Sequence, residues 1–128
     1  MPTQSRQLAA IMFTDIVGYT DLMAKDRDST MELLVANKEI QNPLVKSHNG
    51  KLLKELGDGT MSTFQTASDA IDCAVALQKQ AADVENLTIR IGIHLGEVVI
   101  EENDAFGDSV NIASRIQSIA DPGGIYIF

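Results

Sequence analysis

Three short strings carry the residues whose types and spacing suit chemistry at a phosphate. FTDIVGYT (13–20) and KELGDG (54–59) each bring one aspartate, Asp15 and Asp58, to the end of an apolar run, about forty residues apart. Hard divalent cations prefer carboxylate oxygens and accept few other protein ligands. Two such carboxylates beside a small-residue turn would suit a pair of metal ions facing a phosphate chain. Where the first run gives way to a glycine turn, the backbone amides of Ile16, Val17, Gly18, Tyr19 and Thr20 would point outward and hold phosphate oxygens. The third string, DAFGDSVNIASR (104–115), supplies polar side chains suited to a purine, a ribose and a phosphate.

Each of these residues also has a plainer reading. Asp15 would serve equally as a helix cap. Asp-Gly is the commonest hairpin turn pair, so Asp58 suits a turn. Lys54 on a strand suits a solvated edge or a hydrogen-bond donor to a base, with Glu55 on the opposite face. Asp108, Asn111 and Arg115 fall at i, i+3 and i+7, one polar stripe of a helix. That stripe suits water, with Asp108 as N-cap, or places Arg115 to stabilise charge on a transferring phosphoryl group. His48 and His94 have no Cys, His or Glu partner at metal spacing and read as structural. Cys73 and the scattered methionines read as packing.

The elements that must position these residues follow from periodicity. Leu8–Thr14 is a continuous apolar run, a buried central strand. A short helix is expected around Thr20–Ala24. Ser29-Thr30-Met31-Glu32 has capping-box spacing and opens a longer helix reaching His48, which Pro43 should kink or divide and Asn49-Gly50 should close. Lys51–Leu56 and Thr60–Phe64 flank Gly57-Asp58-Gly59 as a β-hairpin. Thr66 or Ser68 caps a helix whose apolar stripe is Ala70, Ile71, Ala74, Val75 and Leu77. Ile89, Ile91, Ile93 and Leu95 alternate with Arg90, Gly92, His94 and Gly96, a half-buried strand. Val98–Glu101 continues or pairs with it. A helix from Gly107-Asp108 turns Ile112, Ala113, Ile116 and Ile119 inward, and a last strand begins at Ile125. The order is β-α-α-β-β-α-β-β-α-β. Its heart is βαββαβ, a ferredoxin-like α+β arrangement with helices on an antiparallel sheet. In such a sheet the first strand neighbours the hairpin, which brings Asp15 and Asp58 together.

Composition limits the function classes. A chain of 128 residues makes one domain, 1–128, with one real core. The net charge of −8 argues against nucleic-acid binding, which needs a basic face. Acidity is no bar to a nucleotide when divalent metals bring the positive charge. No apolar run spans a bilayer. A single cysteine suits a reducing cytoplasm.

Together, IMFTDIVGYT, KLLKELGDGTMSTF, IRIGIHLGEV and FGDSVNIASRI resemble the catalytic domain of the class III adenylyl and guanylyl cyclases, in the family's order and spacing from Leu8 to Phe128. The resemblance implies cyclisation of a nucleoside triphosphate to a 3′,5′-cyclic monophosphate and pyrophosphate. It implies two Mg²⁺ or Mn²⁺ ions per site, held by Asp15, Asp58 and the Ile16 carbonyl, with amides of Val17–Thr20 on the β- and γ-phosphates. Lys54 and Asp104 match the pair that reads the base, Asn111 the residue that positions the ribose, and Arg115 the one that stabilises the transition state. Lysine donates and carboxylate accepts, which fits the N1 and 6-amino edge of adenine, so ATP is the expected substrate. The family's sites form between two domains arranged head to tail, so a C2 homodimer is expected. Family domains run roughly a third further and carry a triphosphate-contacting lysine there; no lysine follows Lys79 here. A domain lacking the family's C-terminal part is therefore expected. A catalytically weak nucleotide-binding or regulatory module is the alternative. A diguanylate cyclase is disfavoured by FGDSVNIASR and by the lack of a GG[DE]EF-like turn.

Overall fold

The computed structural model describes residues 4–128. Its elements are β1 (Gln4–Ile16), α1 (Tyr19–Lys25), α2 (Arg27–Ser47), β2 (Gly50–Leu56), β3 (Gly59–Phe64), α3 (Ala67–Ala81), β4 (Ile89–Glu101), β5 (Asp104–Phe106), α4 (Asp108–Ser118) and β6 (Ile125–Ile127). The sheet runs β2-β3-β1-β4-β5, and β6 pairs parallel to β4. The first four strands in that order are the ferredoxin-like core, antiparallel throughout.

Alternation along β1 divides the core in two. Ala10 and Met12 face α2 and α3 with Val45, Phe64, Cys73, Ala74, Leu77, Ile89, Ile91 and Ile93. Ala9, Ile11 and Phe13 face the other way, onto Leu53, Met61, Val98, Ala105 and Ala113. The second cluster draws on both edge strands, so the sheet curls until β2 and β5 meet. A bulge between Leu52 and Lys54 accompanies this bend.

Several local expectations are corrected. Arg27 rather than Ser29 opens the second helix. Asp26 is its cap, with its carboxylate accepting from the Ser29 backbone N–H (3.1 Å) and hydroxyl (2.8 Å). Pro43 does not divide this helix. Pro43 and Glu39 both lie on the exposed side of α2, where water can take the place of the bond that Pro43 cannot donate. Of the two arrangements expected for Val98–Glu101, the structure has the first: the segment continues β4, and Asp104–Phe106 is the strand that pairs with it. Val75, Leu95 and Ile119 are 40%, 42% and 71% exposed instead of buried. Leu95 lies past Ile93, the last β4 residue that packs with α2 and α3, Ile119 follows the last residue of α4, and Val75 lies on the open side of α3 while Cys73 takes the core side.

Thr66 caps α3, accepting from Asp69 N–H at 3.1 Å. Gly107, without a side-chain cap bond, precedes α4, and Asp108 is that helix's first residue rather than its cap. Gly92 and Gly96 let α4 lie directly on β4. A Cβ at Gly92 would overlap the backbone of Gln117, and one at Gly96 would overlap Ser109. That close approach fixes the helix carrying Asn111 and Arg115.

Candidate active site

Asp15 and Asp58 line one cleft of about 260 Å³ with Ile16, Gly18, Tyr19, Thr20, Asp21 and Arg90. Two features bring the β2–β3 turn against β1. Gly59 packs where a Cβ would stand 2.7 Å from the Thr14 carbonyl oxygen. Asp58 Oδ2 accepts from the Ile16 backbone N–H at 2.9 Å. The turn between β1 and α1 needs Gly18, which has φ 73°.

The backbone amides divide in a way the sequence reading missed. The Ile16 N–H is turned to Asp58, and the Val17 N–H donates to the Thr88 carbonyl at 2.8 Å. These two amides are thus committed inside the protein, which corrects the expectation that all five face outward. Strand pairing holds the chain through Val17, and only after the glycine turn does it open. Gly18 caps α1 and Tyr19 and Thr20 open it, where N–H groups lack intrahelical acceptors.

Arg90 is the residue that sequence reasoning did not place in the site. It stands directly across from Asp15 in the β1–β4 register. Its Nε donates to Asp15 Oδ1 at 3.0 Å and its Nη2 to Oδ2, a two-pronged pair. Its Nη1 donates to the Ser118 carbonyl at 2.9 Å, at the end of α4. Hydrogen bonding to Asp15 holds the guanidinium above its ordinary pKa, against the opposing effect of burial, with further Coulombic pull from Asp15 and Asp58. The signal was present in the alternation, which put Arg90 on the face away from the apolar Ile89, Ile91 and Ile93. Only the register shows which residue it opposes.

Lys54 and Asp104, fifty positions apart, form an ion pair with Nζ 3.0 Å from Oδ1 and 3.2 Å from Oδ2. The Lys54 hydrogen bond holds the Asp104 carboxyl below its ordinary value, assisted by the Ala105 N–H. Glu55 points the other way and pairs with Lys38 of α2 at 3.0 Å. Asn111 and Arg115 lie exposed on α4, and their side chains have no hydrogen-bond or ion-pair partner among the described residues. None of Lys54, Asp104, Asn111 and Arg115 lines the cleft of Asp15 and Asp58. The candidate residues therefore fall into two groups on one chain. Among the described residues, no cluster of three or more His, Cys, Asp or Glu side chains is set to hold a metal by itself. His94 donates from Nδ1 to the Phe128 carbonyl at 2.8 Å, a structural bond.

A curled ferredoxin-like sheet with paired carboxylates at a glycine turn is the frame of nucleotide cyclases. The chain belongs to the adenylate and guanylate cyclase catalytic-domain family, whose model matches residues 1–128. It is 44% identical over 130 residues to putative adenylate cyclase 3 of Rhizobium meliloti, covering 95% of this chain and 22% of that protein. It is 33% identical over 120 residues to an adenylate cyclase of Streptomyces coelicolor, covering 92% of this chain and 32% of that one. The chain thus spans a third or less of these curated relatives. The crystal structure of an adenylate/guanylate cyclase/hydrolase from Silicibacter pomeroyi superposes with a TM-score of 0.88 at 33% identity, covering 97% of this chain and 77% of that chain. No helix of the described residues is long and apolar enough to cross a membrane.

Proposed function

We propose that this domain converts ATP to 3′,5′-cyclic AMP and pyrophosphate at composite sites of a homodimer, with two Mg²⁺ or Mn²⁺ ions per site. The observation that carries this reading is the separation of the candidate residues into two groups. One group has carboxylates and free amides; the other has a base-reading pair and an unpartnered asparagine and arginine. Neither group makes a site alone, and a head-to-tail pair of chains would join them twice over.

The donor set suits a hard divalent ion. Asp15, Asp58 and the Ile16 carbonyl offer oxygen alone, and such ions complete their shell with water and phosphate. The guanidinium on Asp15 marks a place where positive charge is already favoured. When bound, the ions would lower the pKa of the ribose 3′-hydroxyl and neutralise the triphosphate. Arg90 must leave Asp15 for a cation to take its place. The freed fork then faces the same cleft as the Gly18, Tyr19 and Thr20 amides and suits the β- and γ-phosphate oxygens. Lys54 donates to adenine N1 and Asp104 accepts from the 6-amino group. Asn111 orients the ribose so that its 3′-oxygen lines up with the α-phosphorus. Arg115 stabilises charge on the oxygens there as the bond to pyrophosphate breaks. Relatives named as adenylate cyclases support the choice of ATP. The buried thiol of Cys73 suits a reducing cytoplasmic setting.

Product analysis with Mn²⁺ and either ATP or GTP tests the reading. Cyclic AMP from ATP, with specific activity rising with protein concentration, is the expected result. Preferential cyclic GMP would overturn the base assignment. Nucleotide binding without product from a concentrated sample would favour the regulatory alternative.

A further inference from the structure

Behind the two aspartates, buried hydrogen bonds close a ring. Thr60 Oγ1 donates to Gln41 Oε1 at 2.7 Å. Gln41 Nε2 donates to Thr14 Oγ1 at 3.1 Å. The Thr60 hydroxyl has then used its one hydrogen, so the 2.7 Å bond between the threonines must run from Thr14 to Thr60. Each hydroxyl donates once and accepts once. The second amide hydrogen of Gln41 goes to Asn37 Oδ1 at 3.0 Å. Gln41 is 0% exposed, Thr14 and Thr60 2%, and Asn37 3%.

The ring sits where it can set the cleft. Thr14 immediately precedes Asp15, Thr60 follows Asp58 by two positions, and the two threonines stand opposite each other in the strand register. Gln41 and Asn37 come from α2, whose Lys38 also holds Glu55 on the adjacent strand. A buried polar ring adds little stability over well-packed apolar side chains of the same shape. Its distinctive property is that it closes in one geometry, whereas an apolar contact tolerates sliding.

We propose that Gln41 is a positioning residue: through the Thr14–Thr60 ring it fixes β3 against β1, and so sets Asp58 against Asp15 for cation binding. The inference rests on the cyclase reading of those two aspartates.

The test compares the parent with a Thr14→Val, Gln41→Met, Thr60→Val triple variant, which makes the ring apolar at nearly constant volume. The probe is Mn²⁺ with 3′-deoxy-ATP, which lacks the attacking hydroxyl, and free Mn²⁺ is read by electron paramagnetic resonance. Metal-free protein is followed by thermal melting and by exchange of the Ile16 amide that donates to Asp58. The expected result is a folded variant that melts somewhat below the parent because Asn37 Oδ1 loses its donor, with Mn²⁺ binding weaker by about tenfold and Ile16 exchange faster by about tenfold at a temperature well below both melts. Parental binding and parental exchange in the folded triple variant would overturn the positioning role and leave the cyclase reading intact. A parent that binds no Mn²⁺ in the presence of the probe would overturn the reading of the site, and the positioning role with it. Should the triple variant not fold, the single changes decide. Thr60→Val should weaken Mn²⁺ binding, while Thr60→Ser, which keeps the hydroxyl, should stay within about twofold of the parent. Equal behaviour of the two would overturn the inference.

Discussion

Lys54 and Asp104 make the most specific demand on a ligand. On the cyclase reading, this ion pair, 3.0 Å across in the free chain, would open so that the cation donates to N1 and the anion accepts from the 6-amino group of adenine, the reverse of what guanine offers. Lys54→Glu should therefore lower the ATP-over-GTP ratio of kcat/KM by at least about tenfold; competition assays with both nucleotides would measure it, and an unchanged ratio would remove Lys54 from base reading. Cys73 makes a different prediction. Burial pushes its thiol up to about 11 from an ordinary 9.0. The folded protein thus holds this proton where the unfolded chain has released it. The associated stability is fully present below about pH 9 and is lost as pH rises toward 11, at roughly 1.4 kcal/mol per unit. Urea unfolding near pH 8 and near pH 10.5 should show the parent losing about 2 kcal/mol more than Cys73→Ala across that interval. Equal losses would show that the thiol does not carry the shift.

Among the elements, the placement of α4 depends on what β4 lacks. Gly92 and Gly96 present bare backbone to the helix, and a methyl at Gly92 would fall 2.6 Å from the Gln117 Cα. Backbone cannot yield as a flexible side chain does. Gly92→Ala should destabilise the domain by about 1–3 kcal/mol in urea titration, and should lower turnover by displacing Asn111 and Arg115. A variant of parental stability and activity would mean that the helix sits less tightly than the glycines imply. The element order was legible in the sequence because alternation and helical spacing are local properties. The start of α2 was not: Ser29 fits a capping box, yet Asp26 wins by binding both the N–H and the hydroxyl of Ser29. The exposure of Leu95 and Ile119 was equally hidden, because periodicity gives a side chain's face but not how far the covering element extends. The meeting of Asp15 and Asp58 in one cleft was legible from topology. Arg90, the Val17–Thr88 bond and the Gln41 ring were not, since each depends on strand register or on contacts between distant elements.

At the scale of the whole molecule, the proposed function makes one chain the bearer of two half-sites. Asp15 and Asp58 open on one cleft; Lys54, Asp104, Asn111 and Arg115 lie outside it. In a C2 pair each site would take its carboxylates from one chain and its α4 residues from the other. This arrangement explains how Asn111 and Arg115 can stand exposed without a partner in the single chain: their partners would belong to a nucleotide held by the second copy. The most direct test mixes two inactive variants, Asp58→Ala and Arg115→Ala, each expected to lose at least about a hundredfold in turnover alone. Half the randomly mixed dimers would be mixed pairs, each with one intact and one doubly damaged site, so ATP cyclisation should recover to about a quarter of the parent's. A mixture no more active than its two components, beside an active parent and with mixed dimers demonstrated, would contradict a site shared between chains.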